Sequence, residues 1–401
     1  MINMDSKEYM SQTEENLLHT YNRFQMVLEK GEGVYLYDTD GKKYLDFASG
    51  IGVMAFGYSN EEFKDALKNQ IDKVTHVSNL FYNETVNSAA AKLKKHSGMD
   101  RVFFTNSGTE AIEGAIKAAK KYAYTVDDKN TDHEIIAMNN SFHGRSMGAL
   151  SVTGNEHYRA PFEGLIPGIH FANYNDIESV RELVNEKTCA IIMEPLQGEG
   201  GIYPASDEFM EGIKKLQKEN NILLIFDEVQ CGMGRTGKMF AFQHYDIKPD
   251  IICCAKGIGN GVPVGAFAMT EDVAVKSLVP GDHGSTYGGN PFVCAAVNKV
   301  FEIFERDGIL ESVNEVGQYL EEKLDGLVSK YDAVKSRRGR GLMQGLELNV
   351  PVGEVINEAI ASGLIVISAE GNVLRMLPPL VIEKKHVDEM IGILEKSFSK
   401  F

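Results

Sequence analysis

The feature that most constrains the fold of this chain is a set of short apolar runs separated by segments with helical spacing. Four runs read as strands, at residues 101–106, 189–194, 221–227 and 251–255. Their apolar residues do not alternate with polar ones, which is typical of parallel strands covered on both faces. The middle of the chain is therefore predicted to be an α/β unit with a mostly parallel central sheet.

The two ends of the chain have a different pattern. Residues 34–37 and 43–45 flank a turn-forming tip and predict a small hairpin. After about residue 307 the spacing predicts an amphipathic helix, short strands near 342–348 and 364–376, and a last helix. We predict that residues 1–58 and 308–401 together form a smaller α+β domain, and that residues 59–307 form the larger domain.

Charge and cysteine content exclude several classes of protein. The chain has 41 basic and 57 acidic residues and a formal charge of −16, which argues against nucleic-acid binding and against attachment to an anionic membrane surface. Its five cysteines form no CxxC pair, and no signal-like or membrane-spanning stretch is found. The histidines form no metal-ligand pattern, so no metal is expected. These features predict a cytoplasmic protein.

Asp227 and Lys256 each follow a predicted strand. In an open α/β sheet the carboxyl ends of the strands face the ligand crevice, so Asp227 could serve a ligand; the alternative is that it caps the next segment. Lys256 precedes a glycine-rich turn. Removal from water would lower the pKa of this lysine and favour the neutral amine that forms Schiff bases. The alternative is an ordinary surface charge.

Two further segments could hold an anionic, planar ligand. Residues 107–110, Ser-Gly-Thr-Glu, lie between a strand and a helix, where free backbone amides bind phosphate. The same four residues form a capping box, and the two uses are compatible. In the turn at residues 140–145, Phe142 could stack on a cofactor and Arg145 could bind a carboxylate. The alternatives are a core aromatic residue and a surface cation.

These fragments, in this order, resemble the class-III aminotransferases, which use pyridoxal 5'-phosphate (PLP) and have the aspartate-aminotransferase fold (fold type I). The resemblance runs from about Tyr21 to Leu380. Its most specific part extends from residues 224–237, LIFDEVQCGMGRTG, to Lys256 and Gly257, and FHGR at 142–145 and STYGGNP at 285–291 support it. Within the family, residues 21–24 and 75–82 are most similar to the members that act on acetylornithine.

The resemblance implies a catalytic lysine and aspartate. Lys256 would form a Schiff base with PLP and then move a proton between the substrate and cofactor carbons. Asp227 would keep the pyridine nitrogen protonated, so that the ring can accept electrons. The other implied cofactor contacts are Gly108 and Thr109 at the phosphate beside Ser107, Phe142 and His143 at the ring, Gln230 near the ring hydroxyl, and Thr286 from the neighbouring subunit. The contact from Thr286 implies a homodimer with shared active sites.

The resemblance also implies how substrates bind. Arg145 would hold the carboxylate remote from the reacting amine, and Arg375 would hold the α-carboxylate of glutamate. Glu199 would neutralise Arg375 when the uncharged arm of the first substrate is bound, which avoids leaving a buried guanidinium unpaired. Tyr21 and Ser285 complete the implied substrate contacts.

The expected reaction is ping-pong transfer of the δ-amino group of N-acetylornithine to 2-oxoglutarate, giving N-acetylglutamate semialdehyde and glutamate in arginine biosynthesis. The alternatives are ornithine, succinylornithine, 4-aminobutyrate or an acylated lysine precursor as donor, and, in a different class, a non-catalytic PLP-binding module. The chain departs from the family at Met54, Tyr58 and Ser59-Asn60. These positions are expected near the substrate entrance and away from the cofactor.

Overall fold

The computed structural model describes residues 5–162 and 164–401. The N-terminal part contains helix α1 (Ser6–Asn16), strands β1 (Leu28–Glu32), β2 (Tyr35–Asp38) and β3 (Lys43–Asp46), and the short turn α2 (Ser49–Gly52). The predicted hairpin is confirmed, because β2 and β3 pair antiparallel. Asp38 stabilises its tip by accepting hydrogen bonds from the backbone N–H groups of Asp40 and Lys42.

The middle of the chain alternates strands and helices. Its strands are β4 (Arg101–Thr105), β5 (Glu134–Met138), β6 (Ile169–Ala172), β7 (Thr188–Met193), β8 (Leu196–Gln197), β9 (Tyr203–Pro204), β10 (Leu223–Asp227), β11 (Ile251–Cys254) and β12 (Gly265–Met269). Its helices are α3 (Glu61–Ile71), α4 (Glu84–Ser97), α5 (Gly108–Val126), α6 (Met147–Ser151), α7 (Glu156–Arg159), α8 (Ile177–Leu183), α9 (Asp207–Asn220), α10 (Glu271–Lys276) and α11 (Pro291–Arg306).

Seven of these strands form the central sheet, in the order β4-β12-β11-β10-β7-β5-β6. Strand β12 is antiparallel to both of its neighbours, and the other pairs are parallel. The prediction of a mostly parallel sheet is confirmed, as are the four predicted strands. Among the helices that cover this sheet, α9 is capped by the Ser206 hydroxyl, which accepts from the N–H of Phe209.

Strand β10 shows why the central runs do not alternate. Leu224 and Phe226 pack into one hydrophobic core, whereas Leu223 and Ile225 pack into a second core on the opposite face. Burial of each such side chain contributes about 1.5–3 kcal/mol. With both faces covered by helices, the polar groups on these strands are found at their ends, where the sheet opens.

The C-terminal part is built around an antiparallel sheet. It contains α12 (Ile309–Lys330), β13 (Val334–Arg340), β14 (Met343–Leu348), α13 (Val352–Ala361), β15 (Leu364–Ile365), β16 (Ile367–Ala369), β17 (Val373–Met376) and α14 (Lys384–Phe398). The sheet has the order β13-β14-β17-β16. Strand β15 is not part of this sheet. It pairs with β3 of the N-terminal part, so the two ends of the chain share a sheet.

Two remaining features concern the environment of the chain. All five cysteines are buried and none is in a disulfide. Among the described helices, none combines the length and the apolar character that crossing a bilayer would require.

Candidate active site

A cavity of about 300 Å³ lies at the carboxyl ends of the central strands. It is open where β4, β7, β10 and β11 end, which is where ligands bind in open α/β sheets. Its walls carry the polar groups of Asn106, Ser107, Thr109, His143, Glu194, Glu199, Asp227, Gln230 and Lys256, and the apolar surfaces of Val53, Phe142, Val229, Val262 and Val264.

Asp227 is the last residue of β10 and its side chain is held from two sides. Its Oδ1 accepts a hydrogen bond from the N–H of Val229 at 2.9 Å, and its Oδ2 lies 2.8 Å from Nδ1 of His143. The contact with Val229 stabilises a turn, because the next helical segment begins only at Ala241, and Asp227 also lines the cavity. A buried carboxylate with two donors is satisfied without a neighbouring lysine or arginine.

Lys256 follows β11 and begins a single 3₁₀ turn, Lys256–Ile258. Its backbone φ of 50° lies in the left-handed region, which residues other than glycine rarely adopt. Its side chain enters the cavity, and burial lowers its pKa below the ordinary value of 10.5, although Glu199 and Asp227 oppose this shift. The lysine therefore gives up its proton more readily than an exposed lysine does, which suits a nucleophile.

The N-terminus of α5 supplies an anion site. The Ser107 hydroxyl caps the helix by accepting from the N–H of Glu110, whose carboxylate in turn accepts from the N–H and side chain of Asn106. The first amides of a helix have no acceptor inside it, so the N–H groups of Gly108 and Thr109 are available to a ligand. Capping and anion binding are thus compatible here.

Glu194, just after β7, is a further buried carboxyl group beside Asp227. It accepts hydrogen bonds from the N–H groups of Gly198 and Phe142, at 3.1 and 3.2 Å. Burial raises the pKa of Glu194 to about 7, an effect that the neighbouring Asp227 reinforces and His143 opposes. Sequence reasoning did not select this residue. The rule that selected Asp227, an acid at the carboxyl end of an apolar strand, applies equally to Glu194.

Glu199 and Arg375 form an ion pair of 2.6 Å between the cavity wall and β17. Burial alone would raise the pKa of Glu199, but the charge and hydrogen bonds of Arg375 bring it below the ordinary value. Gln230 lies against both members of the pair. The two residues that the resemblance paired therefore meet, although they are far apart in the sequence.

The other substrate residues expected from the resemblance lie outside this cavity. Arg145 is exposed, with its guanidinium 3.8 Å from the ring centre of Tyr158 and 5.3 Å from that of Phe142. Ser285 accepts from the side chain of Asn106 and is half-buried. Tyr21 is exposed, and so is Thr286, which the resemblance assigns to the phosphate in the neighbouring subunit.

The positions that depart from the family pattern have structural partners. The hydroxyl of Tyr58 donates to Asp46 at 2.6 Å, and the carbonyl oxygen of the Asn60 side chain caps α3. Met54 alone approaches the cavity, since its sulfur packs against Gly261. Of these departures, Met54 is therefore the one that contacts a residue of the cavity lining, Gly261.

Comparison with known proteins identifies the family. The family described as aminotransferase class-III matches residues 18–398. The chain belongs to the class-III aminotransferases. It is 47% identical to an acetylornithine aminotransferase of Clostridium acetobutylicum over 382 residues, which is 95% of this chain and 98% of that protein.

Solved structures of aminotransferases show the same fold. The ornithine aminotransferase of Toxoplasma gondii, with partial occupancy of PLP at its active site, is 29% identical with a TM-score of 0.95, covering 99% of this chain and 94% of that one. The acetylornithine aminotransferase of Elizabethkingia anophelis is 30% identical with a TM-score of 0.89, covering 99% and 100%. This class-III aminotransferase therefore has fold type I and is a PLP-dependent transaminase.

The residues of the cavity suit PLP chemically. The amine of Lys256 fits an aldehyde, the carboxylate of Asp227 fits a pyridinium, and the amides at α5 fit a phosphate. The phosphate end of the cavity, here called the phosphate cradle, is closely packed. A Cβ atom on Gly108 would lie 2.8 Å from Val229, and one on Gly144 would lie 2.4 Å from the hydroxyl of Thr109. Side chains at these glycines would therefore distort the phosphate end of the cavity.

Proposed function

We propose that this class-III aminotransferase is an acetylornithine aminotransferase, which moves the δ-amino group of N-acetylornithine to 2-oxoglutarate in the cytoplasm. The observation that carries the proposal is the convergence of Lys256, Asp227 and the Glu199–Arg375 pair around one cavity. N-acetylornithine as the substrate is supported by the two similar proteins of Clostridium acetobutylicum and Elizabethkingia anophelis that are named acetylornithine aminotransferases. Ping-pong kinetics are expected, because one site serves both substrates in turn.

The proposed residue roles combine the family resemblance with the contacts within the cavity. PLP, when bound, supplies an aldehyde that takes up the amino group and a ring that stabilises negative charge on the neighbouring carbon. Lys256 binds the aldehyde and carries the proton between the two carbons that exchange it. Asp227, held by His143, keeps a positive charge on the ring nitrogen. Gly108 and Thr109 bind the phosphate beside Ser107, Phe142 covers the ring, and Gln230 contacts the ring hydroxyl.

Recognition of the donor's tail is assigned to the exposed side of Phe142. A recess of about 310 Å³ lies there and shares Phe142 and Glu199 with the first cavity. Neutral polar side chains, Asn140 and Asn155 among them, form much of its lining. Amide and hydroxyl groups suit an acylamino tail. We assign the donor's carboxylate to Arg145, whose guanidinium stacks on Tyr158, a residue of the recess lining. Tyr21 and Ser285 are proposed to complete this site.

Free ornithine is a second candidate donor. The carboxylate of Glu370 also lines the recess and could pair with a second ammonium group. The structural likeness to an ornithine aminotransferase favours the same reading. A few side chains in the recess decide between the two donors.

A half-reaction assay separates these donors. The PLP-loaded protein is mixed separately with N-acetylornithine, ornithine, succinylornithine and 4-aminobutyrate, and the visible absorption of the bound cofactor is followed. Rapid loss with N-acetylornithine, restored by 2-oxoglutarate, supports the proposal. Loss with another donor alone would keep the aminotransferase and replace the substrate. No loss with any donor would favour a non-catalytic PLP-binding module.

We also propose a homodimer in which Thr286 reaches the phosphate of the neighbouring subunit. Exposed apolar side chains support an interface, Leu80, Phe81 and Tyr82 among them. Mixing a Lys256→Ala protein with a Thr286→Asp protein should restore activity, because one site of the mixed dimer has both native residues. Activity that stays at the level of the separate variants would contradict shared sites.

The division into residues 59–307 and the paired ends, 1–58 and 308–401, is likewise proposed, supported by the β3–β15 pairing.

A further inference from the structure

Arg375 is screened from the cavity by two side chains. Glu199 and Gln230 both line the cavity, whereas Arg375, only 3% exposed, lies behind them on β17. The Nη1 atom of Arg375 donates to Glu199 at 2.6 Å and to the amide oxygen of Gln230 at 3.2 Å. A carboxylate that enters the cavity therefore meets Gln230 as well as Glu199 before it can reach Arg375.

Gln230 also contacts the other member of the ion pair. Its amide nitrogen donates to Glu199 at 3.4 Å, so one amide group touches both charged residues with the matching polarity. The backbone leaves room for this placement only because residue 198 is glycine. A Cβ atom there would lie 2.2 Å from the amide oxygen of Gln230.

The guanidinium depends on these neighbours for its hydrogen bonds. Its Nε atom is buried and has no hydrogen-bond partner among the described residues. If Glu199 moved away alone, the remaining contact of Nη1 in the structure would be the amide oxygen of Gln230. Removing every acceptor from a buried guanidinium is costly, so Gln230 lets Glu199 leave without stranding Arg375.

We propose that Gln230 and Glu199 together form a gate that controls access to Arg375. In this gate Gln230 is a positioning residue: it shields the guanidinium together with Glu199, and it keeps its own hydrogen bond to the guanidinium when Glu199 withdraws to admit a dicarboxylate. This inference rests on the proposed aminotransferase function and adds to it a determinant of which substrate the site accepts. It assigns Gln230 a role toward Arg375 that is separate from its proposed contact with the cofactor.

The proposal predicts that a carboxylate at position 230 can replace the one at position 199. Glu199→Gln should leave Arg375 without a counter-charge and raise the KM for the amine donor about tenfold. Gln230→Glu should place a second carboxylate beside Arg375, in addition to Glu199, and weaken binding of glutarate, an unreactive dicarboxylate, about tenfold. The double variant again has one carboxylate on Arg375, so both defects should return to within about threefold of the wild type.

A double-mutant cycle with four proteins tests this exchange. The measurements are the KM for the amine donor, the Kd for glutarate by calorimetry, and the visible spectrum of the bound cofactor. The proposal is supported if the double variant recovers the donor KM and the glutarate Kd while its visible spectrum remains that of the Gln230→Glu single variant. That result would separate the gate role of residue 230 from its contact with the cofactor. A double variant that keeps the full tenfold donor defect of Glu199→Gln would overturn the proposal.

A matched control uses Gln197, which is buried like Gln230 and ends β8 two residues before Glu199, but donates to the backbone oxygen of Asn139. Gln197→Glu in the Glu199→Gln background should leave the raised donor KM unchanged, and recovery of the donor KM there would overturn the special position of residue 230. The cycle is independent of the donor assignment. If N-acetylornithine is not the donor, the half-reaction assay reveals that, while the glutarate Kd still reports on the gate.

Discussion

Nδ1 of His143 and Oδ2 of Asp227 lie 2.8 Å apart, joining the loop after β5 to the end of β10. The contact fixes the direction of the carboxylate, whose other oxygen is held by the N–H of Val229. Because both residues are almost completely buried, the charge acts in a region of low polarity and is poorly screened. This geometry places one fixed negative charge on the cavity wall near Lys256.

Replacing that charge should reduce catalysis without changing the shape of the site. We expect Asp227→Asn to lower kcat at least about a hundredfold, because a neutral amide does not stabilise positive charge on the ring nitrogen. Steady-state kinetics and cofactor titration measure the loss. The control is Asp250→Asn at the opposite end of the same sheet, where Asp250 accepts from Leu224 N–H and Gln217. Equal losses of kcat in the two variants would argue against a catalytic Asp227.

The two arginines should affect the half-reactions differently. Arg145→Met should raise the KM for both N-acetylornithine and glutamate, by about 30-fold for loss of a charge-assisted hydrogen bond. Arg375→Met should raise the KM for glutamate by a similar factor and leave the amine donor less affected, since the donor's tail does not use Arg375. Separate half-reaction titrations provide the comparison. If Arg145→Met affected only one substrate, its assignment to the shared carboxylate would fail.

The phosphate cradle should be sensitive to a single added methyl group. Gly108→Ala brings a Cβ atom to within 2.8 Å of Val229, and we expect about tenfold weaker PLP binding from the displaced wall. Fluorescence titration of the cofactor measures this affinity. Gly353→Ala in α13 is the matched control, because nothing lies within 4 Å of its Cβ position. That variant should keep the affinity and gain about 0.5–1 kcal/mol of stability.

Glu194 should make stability depend on pH near neutrality. Its pKa in the folded protein is about 7, above the ordinary 4.5, so the folded state binds the proton more tightly than the unfolded state does. The resulting stabilisation is complete below the unfolded pKa and is lost as pH rises through about 7, by up to about 3 kcal/mol. Glu194→Gln should remove this loss. Denaturant unfolding of both proteins at about pH 5 and about pH 8 measures it, and parallel pH profiles would contradict the assignment.

Local sequence pattern was sufficient to predict four of the seven central strands and the positions of Asp227 and Lys256. Apolar runs define buried strands, and the fold rule that ligands meet the carboxyl ends of strands places both residues in one crevice. Strand β13 was not predicted, because its sequence VKSRRGR is highly charged and pairs through contacts with β14 that lie beyond the local pattern. Tertiary pairing overrides β-propensity in such strands.

The gate was beyond sequence pattern alone for a physical reason. Glu199 and Arg375 are 176 residues apart, and their contact depends on how β17 packs against the large sheet. Only the family resemblance suggested the pair. The contact of Gln230 with both charges was not anticipated at all, because an amide has no charge that would mark it as a partner for either residue.

The attachment of PLP to Lys256 is the central claim of this account, and reduction with borohydride tests it most directly. The PLP-loaded protein is reduced and digested, and the peptides are sequenced by mass spectrometry. We expect one modified lysine, Lys256, in the peptide that follows β11, and no label there in Lys256→Ala. A reduced cofactor on another lysine, or no covalent label on the loaded protein, would contradict the account.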